Sequence, residues 1–143
     1  MQTITAQECA RASRELFFKG KLGAQNHEDC LYIYDDGSRC AVGAALTDET
    51  IGRIPGSLSF ERINQVVRDG FVGVEDGEIQ SVEKLQDRHD QWAQSQRDAD
   101  MISFLNLMDE LDPGTYVADG VYPYHKLSEA LQHHTVADIT FSH

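Results

Sequence analysis

The sequence predicts an α+β fold in which a small antiparallel sheet, with a hairpin over about residues 30–46, packs against several helices. Three observations lead there. Apolar residues recur at helical spacing in four separate stretches, CLYIYDDGSRCAVGAAL (residues 30–46) sets two apolar runs around Asp36-Gly37, and the tail from Thr115 alternates as short strands do. Helices and strands interleave irregularly, without a repeat or low-complexity segment, and 143 residues suit a single domain spanning 1–143.

Thr5 and Glu8 form a capping-box pair, and Cys9, Ala12 and Leu16 follow at helical spacing, so a helix is expected from Thr5 to about Lys19, ended by Gly20 and Gly23. Asp36-Gly37 at the centre of a two-residue type I′ turn makes Tyr34 face Arg39, Ile33 face Cys40 and Cys30 face Gly43. Leu31, Ile33, Cys40 and Val42 then share one apolar face, while Cys30, Tyr32, Tyr34, Arg39 and Ala41 share the other. Asp48 to Gly56 is expected to hold a short turn or helix. Ser57 or Ser59 can cap a second helix, with Phe60, Ile63, Val66 and Val67 as its buried stripe and Asp69-Gly70 as its stop. FVGVEDGE is a short strand or loop. From Ser81 a third helix carries Val82, Leu85, His89 and Trp92 on one face, and Asp98 or Asp100 starts another bearing Met101, Phe104, Leu105, Met108 and Leu111, stopped by Asp112-Pro113-Gly114. The tail adds a short helix around Lys126 to Gln132 and a final VADITF, either a closing strand or an irregular end.

The net charge is -12, and it is unevenly placed: residues 75–112 hold eleven acids against Lys84, Arg88 and Arg97. Such a field repels phosphate backbones and attracts basic protein surfaces, so direct nucleic-acid binding is not expected and a basic protein partner is. Apolar runs are too short to span a membrane, and the first residues hold no signal-peptide core, which predicts a cytoplasmic protein. Cys9, Cys30 and Cys40 are odd in number and include no CxxC pair, so reduced thiols are expected.

Three chemistries compete for the remaining residues. Cys40 is a small buried hydrophobe or a thiol nucleophile, for which His89 is the best available base; Asp90, projecting about 100° away on the helix, is poorly placed to orient that imidazole. No metal or other cofactor is expected, because the six histidines form no HxH or HxxxH pair. Tyr32 and Tyr34 suit either a recognition surface or the underside of a helix. The acids Glu83, Asp87, Asp90, Asp98, Asp100, Asp109 and Glu110 form either a solvated face or a partner-binding surface, with Asp98 or Asp100 also able to cap a helix.

The hairpin segment together with LQDRHD at residues 85–90 and Trp92 resembles small uncharacterised proteins of tailed bacteriophages and prophages, which share a CxY, Gly, xxCAVG pattern followed by LQxxHD. About a sixth of the chain carries the resemblance, and it departs after CAVG, where Ala44, Ala45 and Thr47-Asp48 replace a second cysteine and a Pro-Asp. The resemblance implies a phage origin and no catalytic residues. Class and charge together make the leading expectation an acidic binding protein, such as an anti-CRISPR or other anti-defence inhibitor, that engages a basic nucleic-acid-binding surface of a host protein. A cysteine-dependent hydrolase or transferase built on Cys40 and His89 is the alternative.

Overall fold

The computed structural model describes residues 1–23, 32–56 and 62–143. Its core is helical. Helix α1 (Ala6–Phe18) packs on α2 (Ala41–Ala45), α5 (Ile79–Ser95) and α6 (Asp98–Leu111), with α3 (Asp48–Arg53) and α4 (Ile63–Arg68) at the side. Two-residue strands β1 (Thr3–Ile4) and β2 (Gly73–Val74) pair in parallel beside α1, through Gly73 N–H to Gln2 O and Glu75 N–H to Ile4 O. The other sheet is antiparallel, order β4-β3-β5, from β3 (Thr115–Ala118), β4 (Val121–Tyr124) and β5 (Ile139–Ser142), with α7 (Leu127–Ala130) against its first two strands. The α+β expectation therefore holds, but the sheet is built by the tail.

Helix α1 begins as its sequence dictates. Thr5 Oγ1 accepts from Glu8 N–H, Glu8 reaches back to Thr5 N–H, and Gly20, at φ +66°, lets Lys21 N–H return to Leu16 O. Helices α5 and α6 make an antiparallel hairpin joined only by Gln96 and Arg97, with Gln96 left-handed at φ 57°. Trp92 stacks on Phe104, 5.7 Å between ring centroids, and Arg88 donates to Ser103 O across the seam. Val82, Leu85 and His89 point inward as their spacing requires. The cap expected of Asp98 or Asp100 is absent: Arg97 takes the N-cap position without a side-chain bond, and Asp100 instead accepts from Ser95 Oγ.

The segment 30–46 is the main correction. Tyr34 N–H bonds Ser38 O at 2.8 Å and Ile33 bridges Arg39, so three residues, Asp35, Asp36 and Gly37, close the turn, with Gly37 at φ +86°. The register thus slips by one from that of a two-residue loop. Beyond Arg39 the chain leaves the extended state: Cys40 becomes the N-cap of α2, its Sγ accepting from Gly43 N–H at 3.2 Å. Alanine-rich AVGAA favours a helical turn over a strand, Gln86 Oε1 takes the otherwise orphaned Val42 N–H at 2.8 Å, and Arg39 donates to the Leu46 and Gly43 carbonyls at the far end. Tyr32 and Tyr34 are buried, which removes them as an exposed aromatic surface. Cys30, Leu31, Ser57, Ser59 and Phe60, assigned to the hairpin and to the start of the second helix, lie outside the described residues.

Candidate functional site

The antiparallel hairpin decides where the acids stand. Glu83 and Asp87 lie on the outer side of α5, but Lys84 and Arg88 share that groove and Arg62 clasps Asp87 at 2.8 and 3.1 Å, so the face is close to neutral. Asp90 is turned inward, accepting from Gln86 Nε2 at 2.7 Å and meeting His89 Nδ1 at 3.0 Å. Asp98 is exposed at the opposite end of the hairpin, about 18 Å from Glu110 at 1.5 Å per residue, well beyond the Debye length of about 8 Å in physiological salt. Asp100 is held by Ser95 and Arg97. Asp109 is buried and fully bonded, so it does not belong to a docking surface. The seven residues therefore do not form one face.

A different group of carboxylates lies on segments that do come together. Glu78 Oε1 accepts from Ala6 N–H, Glu75 is bonded through its backbone to Ile4, and Gln7 reaches Asp112 just past the end of α6. These contacts set the start of α1, the start of α5 and the end of α6 side by side. The segments so joined carry Glu8, Glu75, Asp76, Glu78 and Glu110, and also Arg11, whose guanidinium lies 3.7 Å from Asp112. Sequence reasoning credited only Glu110, because the others join it through tertiary contacts between distant segments.

Beneath that end lies a buried ion cluster that the sequence reading missed. Arg14 donates to Asp112 Oδ2 at 2.5 Å, to Asp112 O at 2.6 Å, to Asp109 Oδ1 at 3.1 Å and, through Nε, to Tyr116 Oη at 2.7 Å. Tyr116 in turn donates to Asp109, whose other oxygen takes Leu127 N–H at 2.8 Å. Burial, reinforced by that carboxylate acceptor, pushes the Tyr116 hydroxyl up. Burial works to raise the Asp112 carboxyl too, but hydrogen bonds from His143, Gln7 and Arg14 outweigh it and hold the group below its ordinary range. Every polar atom has a partner, so the cluster is a tie between α1, α6, β3 and α7, with no group free for a reaction. Its one signal in the sequence is that Arg14 follows Ala10 by four positions, inside the inward stripe of α1.

The thiol–imidazole pair is also placed. Cys40 and His89 are 1% and 0% exposed. Contrary to the helical-wheel expectation, Asp90 does meet the neighbouring imidazole, at Nδ1, leaving Nε2 without a partner among the described residues. Burial pushes the Cys40 thiol up to about 12, against the opposing effect of the Gly43 and Gln86 hydrogen bonds. A thiol so placed is neutral and closed to reagents. Among the described residues no group of three His, Cys, Asp or Glu could hold a metal ion, and no helix is long and apolar enough to cross a membrane. Comparison with known proteins finds no matching family model, no matching curated protein and no matching solved structure.

Proposed function

We propose that the protein acts by stoichiometric binding, docking the acidic end formed by Glu8, Glu75, Asp76, Glu78 and Glu110 on a basic protein surface. The observation that supports this reading is that hydrogen bonds join the three separated segments that carry those five carboxylates. Like charges on segments so joined cost stability, and a basic partner would relieve that cost while the field speeds encounter. The class includes anti-CRISPR and other anti-defence inhibitors, which occupy a host protein's nucleic-acid groove with carboxylates in place of phosphates. Capture from a bacterial host lysate tests it. A partner is retained at about 50 mM salt and released at about 500 mM, as expected where screening sets the affinity. Glu75→Lys/Asp76→Lys/Glu110→Lys loses it while keeping a native circular-dichroism spectrum, and Glu83→Lys/Asp87→Lys retains it. Capture that ignores salt, or survives the triple reversal, rejects the reading.

One observation favours a second reading. The Asp90–His89 contact at 3.0 Å is the arrangement that orients a catalytic imidazole, which a cysteine-dependent hydrolase or transferase on Cys40 would use. Such an enzyme would label quickly at Cys40 with iodoacetamide in the folded state. The burial and raised titration of that thiol predict the reverse: labelling at Cys40, mapped by mass spectrometry, at least about a hundredfold slower than that of an unfolded-chain thiol at neutral pH.

A further inference from the structure

We propose that β5 is a detachable strap over the buried ion cluster, and that the charge on His143 sets how firmly it closes. Among the described residues strand β5 is paired on one side only, to β3 in the register Thr115–Ser142, Tyr116–Phe141, Val117–Thr140 and Ala118–Ile139. Four residues of edge strand are the kind of unit that opens locally at low cost. Ile139 anchors its start in the core. From there to the end of the chain the strand is held by what lies under it: the Phe141 ring covers the Arg14 guanidinium at 3.8 Å and meets Tyr116 at 4.9 Å, and His143 Nε2 lies 2.9 and 3.2 Å from the two Asp112 oxygens. Gly114 makes this seat possible, because a Cβ there would overlap the Phe141 ring.

Charge in the cluster is unbalanced. Arg14 faces two buried carboxylates, Asp109 and Asp112, which leaves one negative charge uncompensated inside. The groups facing His143 are Asp112 and, around it, Gln7, Arg11 and Arg14 from α1, Asp109 from α6 and Tyr116 from β3. Arg11 is half-exposed and 3.7 Å from Asp112, too loosely placed to neutralise it alone. An imidazolium at His143 supplies the missing charge as a charge-assisted hydrogen bond, whereas a neutral imidazole gives a hydrogen bond only. His143 is itself half-exposed, so protons reach it without unfolding. The strap is therefore firm while His143 carries its second proton and loosens when that proton is lost. On the acid side it fails only when Asp112 protonates, below the ordinary carboxylate range. Lifting β5 uncovers the Arg14 guanidinium, the Asp112 carboxylate and the Tyr116 hydroxyl together.

Amide hydrogen exchange on the full chain, corrected for intrinsic rates, measures the strap directly. Protection at Thr140–Ser142 relative to Leu105–Met108 in α6 is expected to fall about fivefold from about pH 5.5 to about pH 8, the effect of one partly exposed ion pair. In His143→Gln the ratio stays at its high-pH value throughout. In His143→Lys, which keeps a cation at both values, it stays high. A wild-type ratio that does not change with pH, or a fall of the same size in either variant, overturns the proposal.

Discussion

Arg14→Met destabilises the protein by about 3–5 kcal/mol, because the change leaves Asp109 and Asp112 buried without their cation. Methionine keeps most of the side chain's volume and its cover beneath Phe141, so packing loss contributes little. The loss is carried by four hydrogen bonds from one guanidinium, two of them to carboxylates and one each to Asp112 O and Tyr116 Oη. Urea unfolding reads the result as a lower midpoint at unchanged slope. Adding Asp112→Asn to Arg14→Met recovers part of the loss, since the second change removes the charge that the first one stranded. A midpoint shift worth less than about 1 kcal/mol would mean that the cluster does not hold the helices to the sheet.

Gly43→Ala is the second large effect, at about 2–4 kcal/mol, near the upper range for forcing volume into a closed site. A Cβ at this position would overlap the carbonyl oxygen of Tyr32, and the neighbour is backbone, with no flexible end to swing aside. Helix α2 sits against the Tyr32 backbone because this residue has no side chain. Relief requires α2 to move, and with it the Cys40 cap and the Val42 to Gln86 bond. Gly52→Ala in α3 is the matched control: a Cβ there meets open space, and the better helix former stabilises by roughly 0.5–1 kcal/mol. If thermal melts show both alanines to be neutral, α2 has freedom that the close approach denies.

The helices were legible because periodicity and punctuation agree along the chain. Thr5 with Glu8, the Val82–Leu85–His89 stripe and the Asp112-Pro113-Gly114 stop each act locally, so their meaning survives folding. Residues 40–46 were misread for a physical reason. An apolar run after a turn fits a strand or a buried helical turn equally well, and the choice was made by Gln86, which is 44 residues from the Val42 amide it satisfies. The candidate site was less legible still. Along the sequence Asp109 and Glu110 are adjacent carboxylates of one acidic run, yet the helix sends the first into the Arg14 cluster and the second to solvent. Total charge was therefore readable while its distribution was not, because ion pairs such as Arg62–Asp87 and Arg14–Asp112 join residues that no local pattern connects.

The strand order β4-β3-β5 also determines which side of the sheet a further strand could join. Pro123 lies in β4, at one border, where it offers no N–H to an incoming backbone. The opposite border is β5, whose outward amides and carbonyls are not blocked in this way. Among the described residues β5 is consequently the border that a partner's peptide or a second copy of the chain could extend, and it is the strand whose Phe141 covers Arg14.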